Sequence, residues 1–347
     1  MTAALAILEP GLQTTVQDLG RPGFQHLGVA VGGALDPLSF RAANVLVGNA
    51  PEVGALEVAY LGPKLRVEAD SLRFACAGAN VSVEVFPDET ARTGTSVGTL
   101  RSFSARRGDI IRIGALQDSA VAYIAVEGGF ALRPVFGSVS TYIRGGMGGW
   151  HGRALMAGDL LPLQRQSASE RGEYQMSELD LSLPPRFRVI VGPQSDYFSD
   201  AALRQLFEGQ YTVRPDSNRM GMRLSGPKLE HAQGFNIISD AIAPGSIQVP
   251  GDGQPIILMV DRQTTGGYPK IATVISADLP ALGRVRLGSS VAFAEVTLEE
   301  ASRLRRLFLD EIESLPRRLS PYQPGDIASR LFGVNLISGV VDASLPA

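Results

Sequence analysis

Four short stretches recur in the same order in the two halves of this chain, and no other feature limits its fold so strongly. Gly62-Pro63-Lys64-Leu65 returns as Gly226-Pro227-Lys228-Leu229, and a helix-opening Asp36 returns at nearly the same shift as Asp196. Val126-Glu127-Gly128-Gly129-Phe130 is paralleled by Val260-Asp261 followed by Gly266-Gly267-Tyr268, and residues 155–161 by residues 285–291. Matches that keep their order point to two copies of one unit. The expected division is a first unit over 1–165, a polar linker over 166–184, a second unit over 185–296, and a C-terminal helix and tail over 297–347. The copies differ at the acid–glycine turn, where the second carries four extra residues, 262–265, so functional asymmetry is expected there.

Each unit reads as β-rich. The 39 glycines and 22 prolines cut the chain into short runs, and few aromatics are present; that pattern suits short strands and tight turns. Strands are expected near 5–8, 13–17, 55–60, 64–68, 72–75, 81–85, 110–113, 120–126, 256–260 and 271–275. Asp36-Pro37 opens a helix that runs to Gly48, with the aspartate as N-cap and the proline at the first helical position. In the second unit, 196–209 holds the corresponding helix. Thr297-Leu298-Glu299-Glu300 is a capping box opening a helix to about residue 315, with Leu298, Ala301, Leu304, Leu307, Phe308 and Ile312 on one apolar face. Residues 335–342 form an apolar, strand-like piece that must dock on the body or on a partner.

Several function classes drop out. A net charge of −3 gives no reason to expect nucleic acid or an anionic membrane as partner. No apolar run approaches membrane-spanning length and no signal peptide opens the chain, so a cytoplasmic protein is expected. Cys76, the single cysteine, sits in an apolar run and reads as a buried small hydrophobe. His26, His151 and His231 lie far apart in sequence, so no metal site is expected. The glycine loop 144–153 is neither a dinucleotide nor a Walker A sequence. It is either a mobile surface loop or a cradle for an anion.

The richest chemistry follows the apolar run 256–260. Asp261, Arg262, Gln263, Thr264 and Thr265 place an acid, a base, an amide and two hydroxyls ahead of Gly266-Gly267, then Tyr268, Pro269 and Lys270 lead into the next strand. Such a set suits a surface that receives a ligand; alternatively, Asp261, Arg262 and Gln263 satisfy backbone groups at a strand end. Gln248 and Arg219 are the expected neighbours. Gln17, Asp18 and Arg21 sit beside turns in the first unit, where they either bind a ligand or, for Asp18 and Arg21, pair with each other.

These residues also carry a family resemblance. The run Gln13-Thr14-Thr15-Val16-Gln17-Asp18-Leu19-Gly20-Arg21-Pro22-Gly23, with Gly33-Ala34-Leu35-Asp36-Pro37, resembles the start of the biotin-dependent carboxyltransferase family, also called allophanate hydrolase subunit 2 or urea amidolyase-related. Ser217-Asn218-Arg219-Met220-Gly221, Gly245-Ser246-Ile247-Gln248-Val249-Pro250 and the stretch from Asp261 to Pro269 resemble its other blocks. The resemblance implies a mainly β fold of two tandem cyclophilin-like β-barrels. It also implies a place in a complex with a subunit-1-type partner (the B-type protein of a 5-oxoprolinase) and a LamB/YcsF-type A protein, so the chain alone should lack full activity. Three functions are compatible with it. The first is the C-type component of an ATP-dependent 5-oxoprolinase, acting on a small lactam, with Lys270 and Arg262 stabilising phosphate charge and ATP used by the complex. The second is a carboxyltransferase component, with Gln263, Thr264 and Thr265 as donors to the biotin ureido oxygen and Asp261 as base. No Met-Lys-Met attachment sequence occurs, so biotin would arrive on a separate carrier. The third is a non-catalytic partner of a kinase inhibitor. In the first two, Arg219, Gln248, Gly266, Gly267, Tyr268, Gln17, Asp18 and Arg21 are expected to contact the substrate.

Overall fold

A computed structural model describes residues 3–176 and 179–322. The protein is mainly β. Strands at Ala4–Glu9, Lys64–Val67, Val83–Phe86, Thr95–Ser96, Ile110–Ile113 and Leu160–Pro162 form a six-stranded antiparallel sheet. Those at Gln13–Gln17, Ala55–Ala59, Ser71–Ala77, Ser102–Arg106 and Val121–Val126 form a five-stranded one. Side-chain alternation explains how the two sheets pack. Leu5, Ile7, Leu65, Val67, Ile111 and Ile113 of the first sheet meet Val16, Leu56, Val58, Phe74, Cys76 and Ile124 of the second in one buried core.

The intervening positions of the five-stranded sheet, Ala55, Ala75, Ala77, Tyr123 and Ala125, face the other way. The four alanines let helix α1 (Pro37–Leu46) pack against that face, with Phe40 of the helix edge-on to Tyr123. Asp36 caps α1, Oδ1 accepting from Leu38 N at 3.0 Å and Ser39 N at 3.3 Å. Gly48 follows with φ +79°, the left-handed position where glycine carries no Cβ penalty.

Strands at Phe187–Val191, Tyr211–Val213, Gly221–Ser225, Ser246–Gln248, Ile256–Leu258, Lys270–Val274, Ser290–Val291 and Phe293–Glu295 make an eight-stranded sheet. Its two edge strands, 290–291 and 293–295, are consecutive in the chain. One pairs with Tyr211 and Thr212, the other runs parallel to residues 187–189, so the sheet closes on itself. Val189, Leu206, Tyr211, Leu224, Ile247, Ile257, Ile271 and Phe293 fill its interior. The echo of residues 62–65 at 226–229 is one of sequence only: Lys64–Val67 is a strand, while 226–230 is irregular.

Helix α2 (Asp200–Glu208) starts later than expected. Ser199 is its cap, accepting from Ala202 N at 3.1 Å, and Asp196 lies in the preceding 3-10 turn Ser195–Tyr197. A serine directly before the first turn outcompetes an aspartate one turn upstream. Helix α3 (Leu279–Arg284) leads back to the closing strand. Helix α4 (Leu298–Ser314) is capped by Thr297, but only part of the expected apolar face is covered. Phe308 and Ile312 pack near Leu315 against the α1 core, whereas Leu298 and Leu307 are exposed. The stretch expected as a linker is docked: Glu173–Met176 pairs with Leu319–Tyr322, and Glu173 accepts from Arg73 and Ser102. The apolar piece at 335–342 lies outside the described residues.

Candidate functional site

The seam between the closed sheet and the five-stranded sheet is held by buried charge. Residues 217–221 form a tight turn in which Asn218 and Gly221 exchange backbone hydrogen bonds of 3.1 and 3.2 Å and Asn218 Oδ1 accepts from Met220 N at 2.8 Å. Arg219 reaches inward from it. Its Nε and Nη2 donate to Asp261 at 2.8 and 3.1 Å, Nη1 donates to Glu57, and Nη2 also donates to Gly33 O at 2.7 Å. Burial works to lower the Arg219 pKa, but Asp261 and Glu57 outweigh it and hold the guanidinium above its usual value. Glu57 Oε2 accepts from Tyr123 Oη at 2.7 Å and from Leu35 N at 2.8 Å. Tyr123 Oη in turn accepts from Asp36 N at 2.8 Å, and Asp36 pairs with Arg284 at 2.7 Å. Burial, then the charges of Glu57 and Asp36, push the Tyr123 phenol well up. Every charge in this chain of contacts has its partner, so the network fixes geometry and leaves little free for proton transfer.

Outside the 217–221 turn lies an open cleft of about 320 Å³. Gln248, Gln263 and Tyr268 from the predicted site line it, together with Asn218, Met220 and Arg144. Ile256 and Leu258 give it apolar wall, and among the described residues no acid lines it. Gln248 is buried and donates from Nε2 to Tyr268 O at 3.2 Å, which fixes the hairpin from below. A Cβ on Gly266 would lie 2.7 Å from Gln248 Nε2 and from Ile242 Cδ1, so a larger residue there would displace those side-chain ends. A second cavity of about 150 Å³ lies on the inner side of the same turn, between Gln13, Thr15, Glu57, Arg219, Met222 and Leu282. Its two charged residues are already engaged, Glu57 with Arg219 and Arg219 with Asp261 as well. The outer cleft is therefore the better candidate for a polar ligand.

The other expected residues are placed differently. Arg262 is buried and donates to Ile242 O at 3.1 Å and Met259 O at 3.3 Å, with burial lowering its pKa. Lys270 is buried with Nζ on Asp240 at 2.8 Å, and that hydrogen bond lowers the Asp240 pKa. Thr265 and Gly266 pair as a ribbon with Ala241 and Asp240, Thr264 O accepts from Ile242 N at 3.1 Å, and Gly267 O from Ile237 N at 2.8 Å. The four extra residues thus anchor a ribbon and present one side chain, Gln263, to the cleft.

Gln17, Asp18 and Arg21 gather around the loop 135–141 instead. Asp18 accepts from Ser138 and Ser140 hydroxyls at 2.6 and 2.8 Å and from Val139 N at 2.7 Å. Arg21 donates to Val135 O at 3.3 Å and to Ser140 O, and burial lowers its pKa against the raising charges of Asp18 and Asp261. Gln17 donates to Thr15 Oγ1 at 2.9 Å and to Thr141 O at 3.2 Å. Glu57 and Tyr123 were not expected at the site at all, while Arg144 and Asn218 lie in stretches singled out in sequence, the glycine loop 144–153 and the block 217–221, without being named as contacts. A glutamate inside the apolar run 55–60 was the available signal for the first.

The family model "Carboxyltransferase domain, subdomain A and B" matches residues 27–295. The C-type component of 5-oxoprolinase from Haemophilus influenzae is 40% identical over 315 residues, 89% of this chain and 97% of the relative. Its counterpart from Escherichia coli is 37% identical over 318 residues, 91% of this chain and 98% of the relative. Among solved structures, the K. lactis urea amidolyase superposes with a TM-score of 0.81 at 29% identity, covering 90% of this chain and 20% of that one.

Proposed function

The chain belongs to the carboxyltransferase-domain family, subdomains A and B, and on that premise we propose that it serves as the C-type component of a 5-oxoprolinase. In that role it would open 5-oxo-L-proline to L-glutamate together with B- and A-type partner proteins in the cytoplasm. The observation that carries this is the match to two 5-oxoprolinase components of the C type over 97% and 98% of their length. We read the two facing sheets and the closed sheet as the tandem cyclophilin-like units of the family.

A lactam is a poor acyl donor because amide resonance stabilises it. Phosphorylation of its carbonyl oxygen supplies a leaving group, which is the use the complex would make of ATP. The cleft suits the lactam end of this chemistry. Gln263, Asn218 and Tyr268 offer neutral donors to an amide oxygen as charge develops on it. Lys270 and Arg262 are both engaged inside the protein, so we assign the ATP phosphates to the partner proteins. Asp261, with both oxygens on Arg219, serves as a positioning residue under the hairpin rather than as a base.

A carboxyltransferase role is the second reading, favoured by the likeness to urea amidolyase; the same donors would then face a biotin ureido oxygen delivered on another protein. Reconstitution with the two partner proteins separates the two. Glutamate formation that depends on ATP and 5-oxo-L-proline is expected, and Gln263→Ala should reduce it by about 10²–10³ with the fold intact by circular dichroism. Carboxyl transfer from a biotinylated carrier, with no glutamate formed, would replace the first reading by the second.

A further inference from the structure

Arg144 is the one cation on the cleft that nothing in the described protein neutralises. Its polar contact is the Met220 sulfur, 3.0 Å from Nη1, a weak acceptor that does not answer a positive charge. Arg223, the other cation on the cleft wall, has Asp216 at 3.7 Å. Behind the wall, Arg219 and Lys270 hold acids and Arg262 holds carbonyl oxygens.

The glycine-rich segment carrying Arg144 is wound tightly instead of hanging as a slack surface loop. Gly145 N donates to Tyr142 O and Gly146 N to Ile143 O, each at 3.1 Å, and Tyr142 and Met147 exchange bonds of 2.8 and 3.3 Å. A Cβ on Gly148 would lie 1.9 Å from Ser140 O, and one on Gly145 would lie 2.5 Å from the Tyr142 ring. The winding thus needs these glycines, and it brings the exposed Arg144 to the cleft that it shares with Gln263 and Asn218.

We propose that Arg144 binds the carboxylate of a cyclic amide while Asn218 and Gln263 address its ring carbonyl and N–H. The proposal rests on the cleft being the substrate site. A guanidinium fork matches a carboxylate in shape and charge, and no acid among the described residues of the cleft opposes an anion. Primary amide side chains carry both a donor and an acceptor, as a lactam requires. Ile256, Leu258 and Met220 offer the apolar surface that ring methylenes need. Arg144 comes from the chain before the closed sheet and the amides from within its span, so the ligand bridges the seam between them. The carboxylate then selects the substrate, and Arg144 determines specificity without joining the bond-breaking step.

The test uses the complex reconstituted with both partner proteins, carrying Arg144→Ala, Arg144→Gln or Arg144→Lys, assayed against 5-oxo-L-proline and against 2-pyrrolidinone, the same lactam without its carboxylate. KM for 5-oxo-L-proline should rise about 10- to 100-fold in the alanine and glutamine variants, less in the lysine variant, with kcat changed by a few-fold at most. The preference over 2-pyrrolidinone should shrink by the same factor. An unchanged KM overturns the proposal; if Gln263→Ala is inactive in the same assay, the cleft remains the site and Arg144 alone has been misassigned. An unchanged KM with loss of complex formation also overturns it, because Arg144 then answers an acid on a partner protein. Normal kinetics in both Arg144→Ala and Gln263→Ala removes the cleft itself.

Discussion

Glu57→Gln should destabilise the protein by about 3–5 kcal/mol, from a buried donor left facing a donor and a charge-assisted bond weakened, while Arg219 keeps Asp261. Glu57 is 4% exposed and Arg219 11%. One glutamate oxygen accepts from Arg219 and the other from both Tyr123 Oη and Leu35 N. Glutamine has a single acceptor oxygen. Turned to Arg219, it sets its NH2 against Leu35 N–H; turned to Leu35, it sets the NH2 against the guanidinium. Either way a buried donor faces a donor, at about 1–3 kcal/mol, and the charge-assisted bond, about 1.5–3 kcal/mol, is weakened or lost. Tyr123→Phe is the milder comparison: it removes a neutral donor to Glu57 and leaves Asp36 N–H without its acceptor, and should cost about 1–3 kcal/mol. Urea unfolding at pH 7, followed by circular dichroism and by the fluorescence of Trp150, would read both, with midpoints shifting at constant m. Against a typical total of about 5–15 kcal/mol the glutamine effect is large. A Glu57→Gln midpoint no lower than that of Tyr123→Phe would refute the view that this network clamps the seam.

Asp159 is held at a pKa of about 2, against 3.8 ordinarily, first by the hydrogen bonds from Arg153 and with burial acting the other way. A depressed folded pKa contributes stability that is present above about pH 4 and is lost as pH falls from there through about 2. Because Arg153 is 36% exposed, solvent screening reduces that contribution to about 1–2 kcal/mol. Acid unfolding of Asp159→Asn should be flatter by this amount between pH 4 and 2, and equal slopes would refute it. Burial pushes the Cys76 thiol up to about 12, so the native protein should not react with an aromatic disulfide reagent at pH 8 and should react with one equivalent after unfolding; rapid native labelling would contradict the burial.

What could be read from the sequence was local. The Asp36-Pro37 cap, the strand at Gln13–Gln17 and the strands on either side of the acid–glycine turn each show as a pattern within a few consecutive residues, even though the strands' pairing partners lie far off. Gln248 and Gln263, singled out for their polar chemistry near the acid–glycine turn, do line one cleft. Side chains whose environment is set at long range were misjudged. Lys270 and Arg262 look like free cations in sequence, yet their partners, Asp240 and the carbonyls of Ile242 and Met259, come mostly from the stretch 231–243, where no strand pattern stood out. Glu57 alternates with Leu56 and Val58 in an apolar strand, and only closure of the seam explains a charge there.

Charge shows why these failures share one direction. Several buried ion pairs join residues far apart in sequence: Glu57 with Arg219 and Asp36 with Arg284 at the seam, and Arg73 with Glu127 and Glu173 within the first unit. A motif seen alone therefore overstates the number of reactive groups, because folding neutralises most of them. Arg144 is the exception on the cleft, held by wound backbone and given only a thioether for company among the described residues. Its guanidinium is exposed to solvent at the cleft and has no counter-ion among the described residues, so it stands open to an anion from outside the chain.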